Sequence, residues 1–478
     1  MRIAEWIETE VSETINIFDS QREHFISSGA LHPEDRIAKL KKLEKWIKDN
    51  RAEIQKAAFA DFKKPAEEMD LTEIYAVLAD INFNLKHIKS WVKTQKVNTP
   101  MTLLGTSSYI HYEPKGVCLI IAPWNYPFQL VIGPLVSAIT AGNHAILKPS
   151  EMTPHVAALI QRLCEELFDP REIACVQGGI TVSKALLDLP FDHIFFTGSP
   201  AVGKIVMAAA AKNLASVTLE LGGKSPTIVD ESANLKDAAE KIAFGKFVNN
   251  GQTCIAPDYI LVHESKEKEF IEQMRHCIQK MYDPDSKGIA ASEGYARIVN
   301  EKHYFRILEL IQDALDRGAE GLTDLEKDVS QRFIAPTLLR NVPEDAQIWE
   351  EEIFGPVLPI KTYRDLDDAI RYINARPKPL ALYIFSTRNH IEQKILEKTS
   401  AGGVCINDCL IHFMNHELPF GGVNNSGIGK SHGYFGFLEF SNAKAVLKQR
   451  VGPTALKPLY PPYTSFSKKM IDLLIKYF

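Results

Sequence analysis

No stretch of about 18 apolar residues interrupts this sequence, so a transmembrane helix is not expected. A basic excess is lacking too: the formal net charge is −5, which argues against a nucleic-acid surface. The seven cysteines, Cys118, Cys164, Cys175, Cys254, Cys277, Cys405 and Cys409, are odd in number and scattered, so a reducing compartment without a disulfide framework is expected. Fourteen histidines include no HExxH, and no metal is expected. The absence of GxGxxG removes the simplest dinucleotide argument. The opening MRIAEWIETE carries acids and lacks an apolar run of signal length, so the expected location is the cytoplasm.

The 478 residues present are too many for one core and suffice for two or three domains. The first ~95 read as helices, as in the spacing of Ile37, Leu40, Leu43, Trp46 and Ile47. From Val117 short apolar strands alternate with helical stretches: VCLIIA, HAILK, IACV, HIFFT and SVTLEL. Strands apolar throughout and separated by helices indicate a parallel sheet covered on both faces, a nucleotide-binding type of architecture. A second series follows Cys254, at YILVH, FIAPTLL, VLPIKTY, ALYIFS and GVCIND, and predicts a second α/β domain. Val97 to Tyr112 reads as a protruding hairpin, of the kind that serves a partner subunit.

Chemistry concentrates at two residues. Cys254 ends the run FVNNGQTC, where Gly251 permits a tight turn and Asn249, Asn250, Gln252 and Thr253 can point donors inward to help a thiol ionise. Glu220 stands in LELGGKSP, before a glycine pair, and a carboxylate there could deprotonate water. In FFTGSPAVGK, Gly198, Ser199 and Gly203 bracket a strand-to-helix turn whose N–H groups can meet a pyrophosphate. Lys148 lies at a strand's C-terminal end, where open α/β sheets bind ligands, and Glu151 could accept from ribose hydroxyls. A carboxylate there repels a 2′-phosphate, which tilts the choice toward NAD over NADP. Taken alone, Cys254 and Glu220 also suit a cysteine hydrolase.

Together these runs, with APWNYPF (122 to 128), EEIFGPV (351 to 357) and LPFGGVNNSG (418 to 427), resemble the NAD(P)-dependent aldehyde dehydrogenases, in that family's order and over nearly the whole chain. The resemblance implies an α/β fold with a Rossmann-like NAD(P)-binding domain at 1–95 and 114–218 and a catalytic α/β domain at 219–420. A small β oligomerisation arm at 96–113 and 421–460 and a tail helix at 461–478 complete it. Cys254 would be the nucleophile, Glu220 the general base and Asn125 the side-chain donor to the oxyanion. Trp124, Lys148, Glu151, Gly198, Ser199, Gly203, Leu221, Glu352 and Phe354 would hold NAD, with NADP as the alternative. The acid-retaining mechanism, through a thiohemiacetal and a thioester, argues against a coenzyme A-acylating enzyme because Glu220 would activate water. A structural protein on the same fold would not need every catalytic position filled.

The stretch GGVCINDCLIHFMNHELPFGGVNNSG resembles the class 3 branch of fatty- and aromatic-aldehyde enzymes, which form dimers; Asn424 replaces a glycine expected there. Candidate substrate contacts Tyr126, Ile255, Ile411, His412 and Phe413 are mostly apolar or aromatic, which favours an aliphatic or aromatic aldehyde over a dicarboxylic semialdehyde. In the tail, Phe466, Met470, Leu473, Leu474 and Tyr477 share one helical face, with Lys468, Asp472 and Lys476 opposite. That helix could dock on a subunit, gate the substrate funnel or touch a membrane surface.

Overall fold

The computed structural model describes residues 8–29 and 31–477. Residues 1–7 of the opening segment and Phe478 of the tail lie outside the described residues. Five helices between Val11 and Trp91 precede the first strand, as the spacing predicts. Leu40, Leu43, Trp46 and Ile47 are buried in one cluster with the helix Gln129–Ala141 and the sheet behind it.

The first large sheet joins β3 (Val117–Ile121), β4 (His144–Lys148), β5 (Ile173–Cys175), β6 (His193–Gly198), β7 (Ser216–Leu221) and β17 (Gly427–Ile428). Their order is β17-β7-β6-β3-β4-β5. All pairs are parallel except β17 on β7, and the strands from β3 to β7 are almost wholly buried because helices cover both faces. The chain runs outward from β3 through β4 to β5, then returns beside β3 for β6 and β7. The crevice where that order reverses, between β3 and β6, is where such sheets bind ligands at their C-terminal edge.

The second sheet joins β8 (Pro226–Val229), β9 (Tyr259–His263), β10 (Glu320–Gly321), β13 (Thr337–Arg340), β14 (Val357–Tyr363), β15 (Ala381–Phe385) and β16 (Gly403–Ile406), in the order β10-β13-β14-β9-β8-β15-β16. Only β10 is antiparallel. FIAPTLL, expected as one strand, is two. Phe333–Ile334 (β12) pairs with Lys327–Asp328 (β11) in a separate ribbon, and Pro336, which has no N–H for a ladder, separates it from β13. The central strand β8 was not expected, because four residues opening on a proline offer no alternation to read.

The hairpin forms as expected between β1 (Gln95–Val97) and β2 (Thr106–Pro114), and a third strand from the far end of the chain, β18 (Ser441–Gln449), pairs along all of β2. Asn424 takes φ 55°, a left-handed conformation that asparagine tolerates nearly as glycine does, so the turn survives the substitution. The tail helix is Ser465–Tyr477; Phe466, Leu473, Ile475 and Tyr477 on it are exposed. Among the described residues no helix is long and apolar enough to cross a membrane.

A buried ion pair positions the loop after β3. Lys64 and Glu73, both fully buried, meet at 2.7 Å. Glu73 Oε2 accepts from the backbone N–H groups of Phe128 (2.9 Å) and Gln129 (3.1 Å), so its charge caps the helix Gln129–Ala141 where N–H groups lack intrahelical partners. Lys64 Nζ also stands 4.1 Å from the centre of the Tyr126 ring. Removing one partner strands a buried charge. Lys64→Met and Glu73→Leu are each expected to lower unfolding free energy by about 3–5 kcal/mol, with the double variant recovering part of the loss, as urea melts would measure.

Candidate active site

The cleft between the two sheets uses opposite strand ends. From the first sheet come residues at or just after C-terminal ends: Pro123 to Asn125 beyond β3, Gly198 and Ser199 at the end of β6, and Glu220 and Leu221 at the end of β7. From the second come residues before N-terminal ends: Gly223 and Lys224 ahead of β8, Cys254 ahead of β9 and Phe354 ahead of β14. Together they enclose a cavity of about 540 Å³. A second, apolar cavity of about 280 Å³ approaches Cys254 separately, lined among others by Tyr75, Tyr126, Phe244, Ile255, Ile411 and Phe413. A third, about 30 Å³ and room for little more than a water, lies against Cys254, Glu220, Ser431 and His432. Cys254 lines all three.

The segment ahead of Cys254 is locally unusual. Asn249 (φ 53°), Asn250 (φ 57°) and Gly251 (φ 71°) are consecutive left-handed residues. Asparagine tolerates this conformation best among non-glycine residues, and a Cβ on Gly251 would lie 2.3 Å from the carbonyl oxygen of Gly355. Amides then lock the turn. Asn249 Nδ2 donates to the carbonyls of Asn125 (2.8 Å) and Gln252 (3.1 Å). Gln252 Nε2 donates to Asn249 and Arg297, both at 3.0 Å, and Asn250 Nδ2 to Ala296 at 2.8 Å. Thr253 Oγ1 bonds the Tyr126 hydroxyl at 2.6 Å. The donors expected to face the thiol therefore brace the loop instead. Burial pushes the Cys254 thiol up to about 12, and Glu352 and Glu220 further oppose the thiolate.

Asn125 is buried and spends one Nδ2–H on the Gln252 carbonyl at 3.0 Å, which fixes the amide plane beside Cys254. Glu220 Oε1 accepts from Ser431 Oγ at 3.0 Å, while Oε2 is buried with no partner. Burial raises this carboxyl to about 8.

The cofactor residues expected from sequence divide into two groups. Trp124, Gly198, Ser199, Leu221, Glu352 and Phe354 line the larger cavity. Ser199 caps the helix Pro200–Ala211, whose N-terminus opens there, and a Cβ on Gly203 would meet Leu221 Cδ2 at 2.8 Å, so this glycine lets that helix approach β7. Trp124 and Phe354 meet edge to face at 5.3 Å. Burial raises Glu352 to about 8, and its carboxylate occupies the space a side chain at Gly222 would need. Lys148 and Glu151 stand apart from this lining, bonded to each other at 2.9 Å beyond β4. An apolar slot, a helix N-terminus and a carboxylate fit a dinucleotide's ring, pyrophosphate and ribose, and the buried Thr197 hydroxyl in the wall still lacks a partner.

Of the substrate candidates, Tyr126, Ile255, Ile411 and Phe413 line the apolar cavity, whereas His412 turns toward Gly403 and the Tyr383 ring. Several lining residues carried no sequence signal. His303, tilted against Trp124, and Arg306, whose guanidinium holds the carbonyls of Glu352 and Ile353, sit on a helix that reads only as amphipathic. Lys224, inside LELGGKSP, donates to the carbonyls of Ile348 (2.7 Å) and Glu351 (2.8 Å) and so holds the loop that carries Glu352.

Residues 2–446 match the aldehyde dehydrogenase family. The chain is 50% identical over 86% of its length to the 4,4'-diaponeurosporen-aldehyde dehydrogenase of Staphylococcus aureus, covering 88% of that protein. It is 42% identical over 95% of its length to the dimeric NADP-preferring aldehyde dehydrogenase of Mus musculus, covering 98% of it. A solved structure described as the substrate-bound state of Staphylococcus aureus AldH superposes with a TM-score of 0.92 at 45% identity, over 98% of this chain and 100% of that one.

In Gly222→Ala the new methyl would stand 2.0 Å from Glu352 Oε2, so the carboxylate must leave its place. Binding of NADH and NADPH, followed by fluorescence, is expected to weaken roughly tenfold, about 1.4 kcal/mol, with circular dichroism unchanged. Unchanged binding would remove Glu352 from the dinucleotide site.

Proposed function

The chain belongs to the aldehyde dehydrogenase family, an NAD(P)-dependent group of oxidoreductases, and from that premise we propose that it oxidises apolar aliphatic or aromatic aldehydes through Cys254. The observation that carries this reading is the placing of Cys254 where the larger cleft, with its helix N-terminus and carboxylates, meets an apolar tunnel. The tunnel brings an apolar tail to the sulfur from one side, and no arginine lines it to favour a second carboxylate. Bound NAD(P)+ supplies the hydride acceptor on the other side.

The Cys254 sulfur forms a bond to the aldehyde carbon, and the carbonyl oxygen becomes an oxyanion facing the Asn125 amide and the backbone N–H of Cys254. With a thiol held high by burial, a base must take its proton, and Glu220 is a carboxylate in the same lining that can accept it. Loss of hydride from the same carbon leaves a thioester. Once Glu220 has released the thiol's proton to solvent, it takes a proton from water as the water oxygen attacks; the C–S bond breaks, the sulfur leaves as thiolate and regains a proton, and the acid leaves. The unpartnered Oε2 is the oxygen free to receive that water.

On the cofactor, Lys148 neutralises Glu151, so a 2′-phosphate would meet a cation as well as a carboxylate. That supports use of both NAD and NADP over the sequence-level tilt to NAD. We infer a homodimer built through the three-stranded arm, where Val97 and Leu447 are exposed. The seven unpaired cysteines suit a reducing compartment, and we place the enzyme in the cytoplasm.

Nicotinamide absorbance over a chain-length series of aldehydes, with both cofactors, tests the reading: kcat/KM should rise with chain length. Asn125→Ala should lose two to three powers of ten in kcat, about 3–4 kcal/mol, and a near wild-type value would sink the assignment. Because burial raises Glu220 to about 8, the carboxylate form is a minority below that pH. Hydrolysis of the acyl-enzyme should therefore rise about tenfold per pH unit below 8 and level off above it. Glu220→Gln should flatten that profile and accumulate the thioester, visible by mass spectrometry.

A further inference from the structure

The end of β4 remote from Lys148 carries a cluster outside the catalytic cleft. There the helix Val11–Ser28, the first residue of β4 and the turn leading into β5 meet, and one ring nitrogen of His24, one of His144 and a carboxylate oxygen of Glu172 lie within 4.8 Å of one another. His144 is fully buried. Its Nδ1 stands 3.2 Å from the carbonyl oxygen of Gln21, so the proton belongs on Nδ1 and the lone pair on Nε2, which is buried without a partner. An imidazole whose other nitrogen donates to a backbone carbonyl is oriented in the way metal-bound histidines are.

We propose that His24, His144 and Glu172 bind one zinc-class divalent cation at the N-terminal edge of the first sheet. Two imidazoles and a carboxylate, completed by water, form a donor set for zinc in tetrahedral geometry. With bonds of about 2.0–2.1 Å, ligand atoms in a tetrahedron stand roughly 3.4 Å apart, so the cluster must close by up to about 1.4 Å. The backbone is already fixed, because Gln21 Nε2 clamps the carbonyls of Ala145 (3.2 Å) and Pro170 (3.0 Å), and Ala145 N donates to Glu172 O at 2.8 Å.

The His24 and His144 rings already stack at 5.4 Å between centroids. Other charges in the neighbourhood are Lys39 and the Asp169–Arg171 pair. Lys39 Nζ is bonded to Glu172, and a metal ion would displace this ammonium from the carboxylate. The bound cation would fasten the first long helix to the sheet edge. The absence of local motif spacing hid such a site from sequence, since its ligands come from three separate elements.

The test uses the full chain stripped with EDTA and titrated with zinc chloride by calorimetry, then with cobalt chloride by absorption. Wild type should bind one equivalent that raises its Tm, with cobalt giving d–d bands but no thiolate charge-transfer band, which excludes the cysteines. His24→Ala and Glu172→Gln, both at sites with some solvent access, should weaken that equivalent by about tenfold or more. Lys39→Met, which frees the carboxylate, should tighten it. Equal affinity in wild type and His24→Ala, a thiolate band for this equivalent, or no binding by wild type overturns the proposal.

Discussion

Everything at the centre depends on one constraint: the backbone from Asn249 to Gly251 must hold three consecutive left-handed conformations. Each costs energy for a residue with a side chain, and such strain persists only when its surroundings over-determine it. Here they do. Asn125 and Asn249 each donate to the same carbonyl, that of Gln252, and Gln252 reaches back to Asn249 and across to Arg297 and Val299. The loop after β3 and the loop before β9 are thereby one hydrogen-bonded object, and the Asn125 amide is tied to the segment that carries Cys254. Lys64 and Glu73 brace the same object from behind through Tyr126 and Phe128.

The electrostatics follow from that packing. The amide-rich loop excludes water without offering a cation to the thiol, so burial dominates. Cys254, Glu220 and Glu352 all favour their neutral forms. Glu352 and Glu220 both oppose ionisation of the Cys254 thiol, and the positive nicotinamide ring of an oxidised cofactor is the charge that would relieve it. Thiolate formation would then be coupled to cofactor binding.

Much of this was legible in the sequence, for physical reasons that differ by element. The strands β3, β4, β6 and β7 and the strands β9 and β14 were legible because fully buried parallel strands are continuously apolar. Cys254 and Glu220 were legible because left-handed turns and close backbone approaches demand Asn and Gly at fixed places beside them, whereas Asn125 came only from the resemblance of APWNYPF. The structure encloses those three residues in one cavity. What the runs could not convey was direction: Asn249, Asn250, Gln252 and Thr253 are donors by type, but only packing decides that they serve the backbone and not the sulfur. His412 is similar, an aromatic neighbour of two tunnel residues that faces the opposite way. His303 and Arg306 were invisible because a helix face looks the same whether it covers a core or a cofactor cleft.

The two sheets also divide the work in a way that sequence order conceals. In the first, cleft-lining residues end or follow strands, the usual ligand edge for an open α/β sheet. In the second they precede strands, so Cys254 and Phe354 enter the cleft on segments about to become β9 and β14. Opposing a C-terminal edge with an N-terminal one lets the strand interiors stay buried while the loops of both sheets interlock. It also explains why Glu220 and Cys254 stand far apart in sequence yet share one cavity wall. Glu220 closes the last parallel strand of one sheet, and the glycine pair after it starts the turn into β8 of the other. Glu220 is thus set by the ladder of one sheet, and Cys254 by the braced loop that leads into β9 of the other.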